Sequence, residues 1–505
     1  MLSSQKPNIL FFFTDMQRAD TIGALGNPII STPGLNLLVN EGTSFTSAYT
    51  PSPVCVPARC CLQYGLYPQH TGCYDNTAMM TDKGTGYPAH LTQAGYQTIA
   101  IGKCHFSPQE TKSDFFRGFD KRLSQEEVIK PGTHDDYREY LKKNNFDPLE
   151  PMGMRSEMYY MPQPSAIPAA HHPTQWIGDR TIETINDFSA GKKPWMIFSS
   201  FIHPHPPLTP PRPWYKKYRS PEIPLPFMPA DYQNLLTAIN FKQNRYKYRD
   251  QGFDYNVLRL IKAYYYSCIS FVDHQILRIL NSLEKTGQLN NTMIIFSSDH
   301  GEFLGDLGCF GKRSMHDPSS RIPLIVRLPG YMKKNHICTE PVSFIDVYPT
   351  ILRAAGVKTS EINSDGVCLK QITDGSIKRK AVFSQFSADA GAQYMAVHKE
   401  WKYFYSAADN REFLFNRRMS ESENLAYIPQ NAQIIQEIRS DLFEFLKKTK
   451  HTSGIIEGPH GSEWKIFPAD ERAAVTASLA HGQNSGLITQ DEFIWNPESD
   501  KISSE

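Results

Sequence analysis

Cys55, Pro57 and Arg59 set a thiol, a helix-starting proline and a fixed cation within about one helical turn. Pro57 suits a first turn and the apolar run after Arg59 continues it, so Cys55 is expected at the positive end of a helix. Anions bind there, and Arg59 can return a planar, two-point cation to the same spot. Taken alone, the pentad fits an ordinary helix start over a buried thiol equally well. Two carboxylates stand at the ends of apolar runs: Asp15 after Asn8 to Thr14, and Asp299, followed by His300, after Thr292 to Phe296. Oxygen donors of that kind suit a hard divalent cation, and such a cation would neutralise an anionic ester before a nucleophile approaches. Lys103 and His105, one residue apart after the run Gln97 to Ile101, would face one side of an extended segment. Histidine as a residue type suits general acid–base work, because an unperturbed imidazole changes charge near neutrality. His203 and His205 follow the run Trp195 to Phe201, and Pro204, Pro206 and Pro207 stiffen the loop around His205. Lys312, after Gly311, reads in isolation as a solvated loop charge.

These residues need a sheet to gather them. Asn8 to Thr14, Gln97 to Ile101, Trp195 to Phe201, Thr292 to Phe296 and Ile322 to Val326 read as buried strands, with helices at Leu35 to Gly42 and Tyr264 to Leu283. Alternation of this kind predicts an α/β fold: a large, mostly parallel sheet sandwiched by helices, with its site at the C-terminal strand edge. Past Asp365 the pattern changes to short strands at Lys380 to Gln385, Gln393 to His398 and Lys402 to Ser406, then a helix from Gln433 to Lys448. This predicts a catalytic domain over 1–375 and a smaller antiparallel-sheet unit with a wrapping tail over 376–505. The chain has 505 residues and a formal net charge of +1, so no global field argues for nucleic acid or a membrane surface. Its apolar runs are too short for a membrane span. Nine cysteines without C-x-x-C spacing are expected to be buried thiols.

With these motifs in this order, the sequence resembles a type I, formylglycine-dependent sulfatase of the alkaline phosphatase superfamily. Segments around 32–38, 42–49, 91–105, 292–301, 321–326, 346–356 and 413–426 resemble that family's signatures, and 107–260 matches little beyond Pro-His-Pro-Pro. The resemblance implies that Cys55 is oxidised by a maturing enzyme to formylglycine, whose hydrate is the nucleophile. It further implies that Asp15, Asp299, His300 and residue 55 hold a divalent metal, with calcium expected. Arg59 and Lys103 would hold the formylglycine oxygens, His105 would take a proton, and His205 with Lys312 would bind sulfate and protonate the leaving alcohol, His203 being the alternative histidine. Two positions depart from the family pattern. Ala58 stands where many relatives have serine, and Met16 where the second aspartate is usual, which leaves Gln17 as the nearest oxygen donor.

Substrate choice has weaker markers. Lys216 and Lys217 between Arg212 and Arg219, and Arg245 and Lys247 between Lys242 and Arg249, are interleaved with tyrosines and suit a sugar bearing carboxylate or further sulfates. The competing reading is an exposed loop of solvated charges. Gln69 and His70 are expected to line the pocket. Overall similarity points to bacterial glycosaminoglycan sulfatases acting exo on heparin, heparan or chondroitin fragments, with uronate 2-O-sulfate as one target. A phosphonate monoester or phosphodiester hydrolase and a silent carbohydrate-binding relative are the rivals. The expected location is periplasmic or secreted if a leader has been removed, and cytoplasmic otherwise.

Overall fold

Alternation along Asn8–Thr14 builds the centre of the molecule. In the computed structural model this strand is buried on both faces. The structure describes residues 6–76, 84–106, 115–127, 134–147, 152–154, 159–241, 254–459 and 461–474. Ile9, Phe11 and Phe13 point to one side, where the helices Cys55–Tyr64, Tyr87–Gln93 and Val347–Ala354 supply Val56, Leu91, Val347 and Ile351. Leu10 and Phe12 point to the other, against Leu35, Trp176, Ile177, Ile276 and Leu280 of Pro33–Glu41, Pro173–Ser189 and Tyr255–Lys285. A strand covered on both faces must be apolar at every position, which is why this one reads as an unbroken run.

Among the described residues the sheet has eight strands, ordered Lys121–Ser124, Gln97–Gly102, Trp195–Phe201, Asn8–Thr14, Thr292–Ser298, Leu324–Arg327, Thr43–Phe45 and His336–Cys338. Only Leu324–Arg327 runs against its neighbours. Thr14 is paired with both Phe201 and Ser298, and Gly102 with both Ser200 and Ser124. That register brings the residues following five strands to one edge. Gly102 has φ +95°, and a Cβ there would lie 2.0 Å from the Ser200 carbonyl oxygen, so glycine is required where the chain turns into Lys103.

A second sheet of four antiparallel strands, Val382–Phe386, Gln393–Val397, Trp401–Ser406 and Arg411–Asn416, forms a meander. One face packs on Tyr49, Val54, Phe303 and Met315, which belong to the loops around the site. The other carries Ala432–Lys448 and the hairpin of Ile455–Gly458 and Gly461–Trp464, with Trp464 stacked on Tyr405 at 4.1 Å. Residue 375 falls between Leu369–Thr373 and Val382–Phe386. All nine cysteines are free and buried. Among the described residues no helix is long and apolar enough to cross a membrane.

Candidate active site

Cys55 is the first residue of the helix Cys55–Tyr64, and Gly65, at φ +69°, ends it. Val54 offers no capping side chain, so the Val56 N–H is satisfied from a distance by Asn76 Oδ1 at 3.1 Å. One turn along, Arg59 lies between two carboxylates. Its Nε is 3.0 Å from Asp299 Oδ2, its Nη2 3.0 Å from Asp15 Oδ2, and its Nη1 donates to the Lys103 carbonyl at 2.9 Å. Lys103 Nζ is 2.6 Å from Asp15 Oδ2 and 2.6 Å from Glu127 Oε2.

The Oδ2 atoms are therefore engaged by cations, while Asp15 Oδ1 faces the thiol and Asp299 Oδ1 faces His300. Cys55 Sγ lies 3.6 Å from Asp15 Oδ1, 3.2 Å from His300 Nε2 and 2.6 Å from Lys312 Nζ. His300 Nε2 is 3.5 Å from Asp299 Oδ1. Cys55, Asp15, Asp299, His300, Arg59, Lys103 and Lys312 are all buried. Burial and Asp15 oppose ionisation of Cys55, but Lys312, His300 and Lys103 outweigh them and hold the thiol well below its ordinary value. Burial likewise opposes charge on Asp15, and Lys103, His205, Lys312 and Arg59 overcome it. Asp299, penalised by burial and then by Asp15, is pushed up. The site favours anions at residue 55.

Ligand atoms of Asp15, Cys55, Asp299 and His300 lie within 4.8 Å of one another. The donor chemistry fits a divalent cation. His300 Nδ1 is 3.0 Å from the Gly301 carbonyl, so Nδ1–H donates there and Nε2 turns its lone pair toward the two Oδ1 atoms. Met16 serves this group through its backbone: its N–H donates to Asp299 Oδ1 at 3.2 Å and its carbonyl accepts from Tyr265 at 2.6 Å. Gln17 is buried, with its amide nitrogen donating to Thr21 at 3.2 Å and Oε1 among the buried atoms without a hydrogen-bond partner.

Four expectations change. The segment is not extended at His105, whose φ is +51°, so the two-residue alternation from Lys103 fails. The N–H groups of Cys104 and His105 instead donate to Glu126 at 2.9 and 3.1 Å. Among the described residues no hydrogen bond or ion pair ties the His105 ring to the Cys55 cluster, and its buried Nδ1 is unpaired. His203 is structural: Nδ1 meets Thr174 Oγ1 at 3.2 Å, Nε2 meets Thr209 Oγ1 at 3.3 Å, and the ring stacks on His172. His205 is the histidine that reaches the centre, through Glu127 at 3.4 Å. Gln69 and His70 turn toward other partners, Gln385 at 2.7 Å and Asp365 at 2.7 Å. Trp214 packs on Phe271 and His274, and Tyr218 bonds Ser270, so those aromatics brace the long helix; the 242–249 cluster lies outside the described residues.

Sequence reasoning missed Glu127 and Asn76. Glu127 follows Lys121–Ser124, a charged edge strand that offers no apolar run. Asn76 acts from across a loop, and only the uncapped Val54 hints at it.

The buried His172–His203 pair predicts an acid-labile component of stability. Burial lowers His203 from 6.5 to about 4, and His172 further below its ordinary value. The unfolded chain then binds protons that the folded chain refuses, so this contribution is complete above the unfolded value and is lost as pH falls toward the folded one. His203 alone should cost about 2 kcal/mol by roughly pH 5. Urea midpoints at neutral and acid pH should show a smaller acid loss in His203→Asn; an unchanged loss would place its origin elsewhere.

Comparison with known proteins now bears on this centre. The family model "Sulfatase" matches residues 7–357, and "N-sulphoglucosamine sulphohydrolase, C-terminal" matches 305–448. A choline-sulfatase of Rhizobium meliloti is 29% identical over 454 residues, covering 85% of this chain and 84% of that protein. An N-acetylglucosamine-6-O-sulfatase of Bacteroides thetaiotaomicron is 27% identical over 440 residues, covering 79% and 77%. The solved phosphonate monoester hydrolase of Silicibacter pomeroyi superposes with a TM-score of 0.75 at 22% identity, covering 91% of this chain and 99% of that one, so the fold is alkaline phosphatase-like. A match spanning most of the chain, on a sheet of this topology and with a buried Cys55 among cations and carboxylates, makes this protein a member of the sulfatase family, a sulfuric ester hydrolase.

Proposed function

We propose that this sulfatase removes sulfate from the end of a sulfated saccharide, of the glycosaminoglycan-fragment class. The observation that carries the reading is the depth of the centre: Cys55 is 1% exposed and Lys312 3%, and a site this deep favours a sulfate at the end of a chain over one within it. The match of 305–448 to the C-terminal part of N-sulphoglucosamine sulphohydrolase, and the N-acetylglucosamine-6-O-sulfatase relative, support a sugar. Uronate 2-O-sulfate and glucosamine 6-O-sulfate are the two positions to compare.

In this reading residue 55 works as formylglycine, produced by a maturing enzyme that must meet Cys55 before the fold buries it. Asp15, Asp299, His300 and residue 55 would hold a divalent metal, with calcium favoured by the carboxylate oxygens. Bound there, the metal supplies charge neutralisation at sulfate and at the nucleophilic oxygen. Arg59 and Lys103 hold the carboxylates in place and face residue 55 with positive charge. Lys312 binds a sulfate oxygen, and His205 gives a proton to the departing alcohol oxygen. His105 remains the candidate base for residue 55, and it would need to swing from its present left-handed turn.

The test is release of inorganic sulfate by purified, matured protein from 2-O-sulfated unsaturated disaccharides and 6-O-sulfated glucosamine, beside choline sulfate, aryl sulfates and a phenylphosphonate ester. A sulfated saccharide should show the highest kcat/KM. Preference for choline sulfate or for the phosphonate would overturn the assignment of substrate.

A further inference from the structure

Glu127 stands three residues beyond the strand Lys121–Ser124, at the edge where the other site residues emerge. Its two carboxylate oxygens serve different partners. Oε2 lies 2.6 Å from Lys103 Nζ, and Oε1 lies 3.4 Å from His205 Nδ1. Lys103 in turn grips Asp15 at 2.6 Å, so one carboxylate links the nucleophile side of the site to the leaving-group side. Its side chain is only 12% exposed, and the Lys103 ion pair offsets the cost of burying that charge while leaving Oε1 for His205.

We infer that Glu127 is a positioning residue which orients His205 and stabilises its doubly protonated ring, so that the ring can hand a proton to a poor leaving group. The inference rests on the proposed role of His205. The imidazole Nδ1 is 2.6 Å from the Pro206 carbonyl as well as 3.4 Å from Glu127, so Nδ1 keeps its hydrogen and Nε2 is the nitrogen left for substrate. Protonation at Nε2 makes the ring a cation, and a carboxylate beside Nδ1–H stabilises that cation. In the step itself an oxygen of residue 55 forms its bond to sulfur as the S–O bond to the alcohol breaks, the electron pair of the broken bond going to the alcohol oxygen. The Nε2–H bond breaks, the alcohol O–H bond forms, and the ring returns to neutral with hydrogen on Nδ1.

The remaining groups around the ring set how much Glu127 matters. Burial opposes the charged form most, and Lys103 and Lys312 oppose it too; Glu127 is the largest charge favouring it, followed by Asp15. The Tyr159 ring lies edge-on at 6.2 Å and adds no formal charge. Without substrate the balance leaves the imidazole at about 3, so an arriving anionic sulfate must add to Glu127 rather than replace it. A neutral amide at position 127 should then tell most where the alcohol cannot leave unprotonated.

The experiment compares wild type, Glu127→Gln and Glu127→Asp on aryl sulfates of graded leaving-group pKa and on an alkyl or saccharide sulfate. Loss of the Lys103 contact should lower every rate several-fold in Glu127→Gln. Beyond that uniform loss, the poorest leaving groups should fall by a further factor of about 10², steepening the leaving-group dependence. Glu127→Asp keeps the charge and should recover part of that slope, so it carries the test should the amide variant fail to fold. Equal losses across all esters, or no loss, would overturn the inference. Absence of sulfate release by the matured wild type would instead strike at the reading of the site itself.

Discussion

Cys55→Ala should leave a folded protein with sulfate release reduced by roughly five to six orders of magnitude, the scale seen when a covalent nucleophile is removed. The position is specified by its neighbours more than by its own side chain. Lys312 Nζ at 2.6 Å and His300 Nε2 at 3.2 Å converge on the sulfur, and Asp15 Oδ1 lies 3.6 Å from it. A methyl group there keeps the helix start, whose Val56 N–H is capped by Asn76, so secondary structure should be unchanged. It leaves the buried Lys312 ammonium without its closest anion, and a modest fall in melting temperature should accompany the loss of turnover. Cys55→Ser, which restores an oxygen but not the two oxygens of an aldehyde hydrate, should also fail to turn over unless the maturing enzyme converts it. Sulfate release and the mass of the tryptic peptide carrying residue 55 check both variants together. A Cys55→Ala protein with wild-type turnover would remove residue 55 from the reaction.

How far the chain could be read without coordinates depended on how completely each element is buried. Asn8–Thr14 and Trp195–Phe201 were legible to the residue because burial on both faces forces an unbroken apolar run, and the carboxylate and histidines at their ends stand out against it. Asp299-His300 after Thr292–Ser298 was legible for the same reason. Lys121–Ser124 was not, because an edge strand with one neighbour keeps charged residues, and Glu127 went unseen with it. The long helix starts at Tyr255, nine residues before the expected Tyr264, because Asp254 caps it and its first turns are half solvent-facing. The strand Arg411–Asn416 was read as a motif rather than a strand, although Phe413 and Phe415 alternate onto the core.

Within the site, the family resemblance assigned Cys55, Arg59, Lys103 and Lys312 to one centre and favoured His205 over His203 on its flanking prolines, but nothing local to the segment explains why His203 stays out. Both follow the same strand beside prolines, and the choice depends on Thr174 and Thr209, which approach from elsewhere and consume both nitrogens of His203. The alternation argument for His105 failed on one backbone angle, set by Glu126 drawing in two consecutive N–H groups. Local spacing describes what a segment can present; long-range hydrogen bonds decide what it does present.

Asp299→Asn should remove the cation binding proposed for the group of Asp15, Asp299, His300 and residue 55 while sparing the fold. Asp299 gives Oδ2 to Arg59 at 3.0 Å and Oδ1 to the Met16 and His300 N–H groups at 3.2 and 3.0 Å. An amide of the same shape can keep an oxygen for those two N–H donors, but it offers no charge to a cation and can no longer pair with Arg59. Arg59 keeps Asp15 at 3.0 Å, so it is not stranded. Relief of the repulsion between two buried carboxylates offsets part of the lost ion pair, because burial and Asp15 together already disfavour charge on Asp299. Stability without added metal should therefore fall by less than a broken buried ion pair alone would cost, the remaining loss coming from an amide donor set against the Arg59 Nε–H. Removing a direct anionic ligand should weaken calcium binding by more than the factor of roughly 10 to 100 typical of outer-shell changes. Wild type should gain melting temperature with calcium as mass action requires, and Asp299→Asn should not, with calorimetric titration reporting the same loss directly. Equal stabilisation of both proteins by calcium would mean that the cation binds somewhere other than between Asp15, Asp299, His300 and residue 55, and the anion-neutralising role assigned to that group would fall with it.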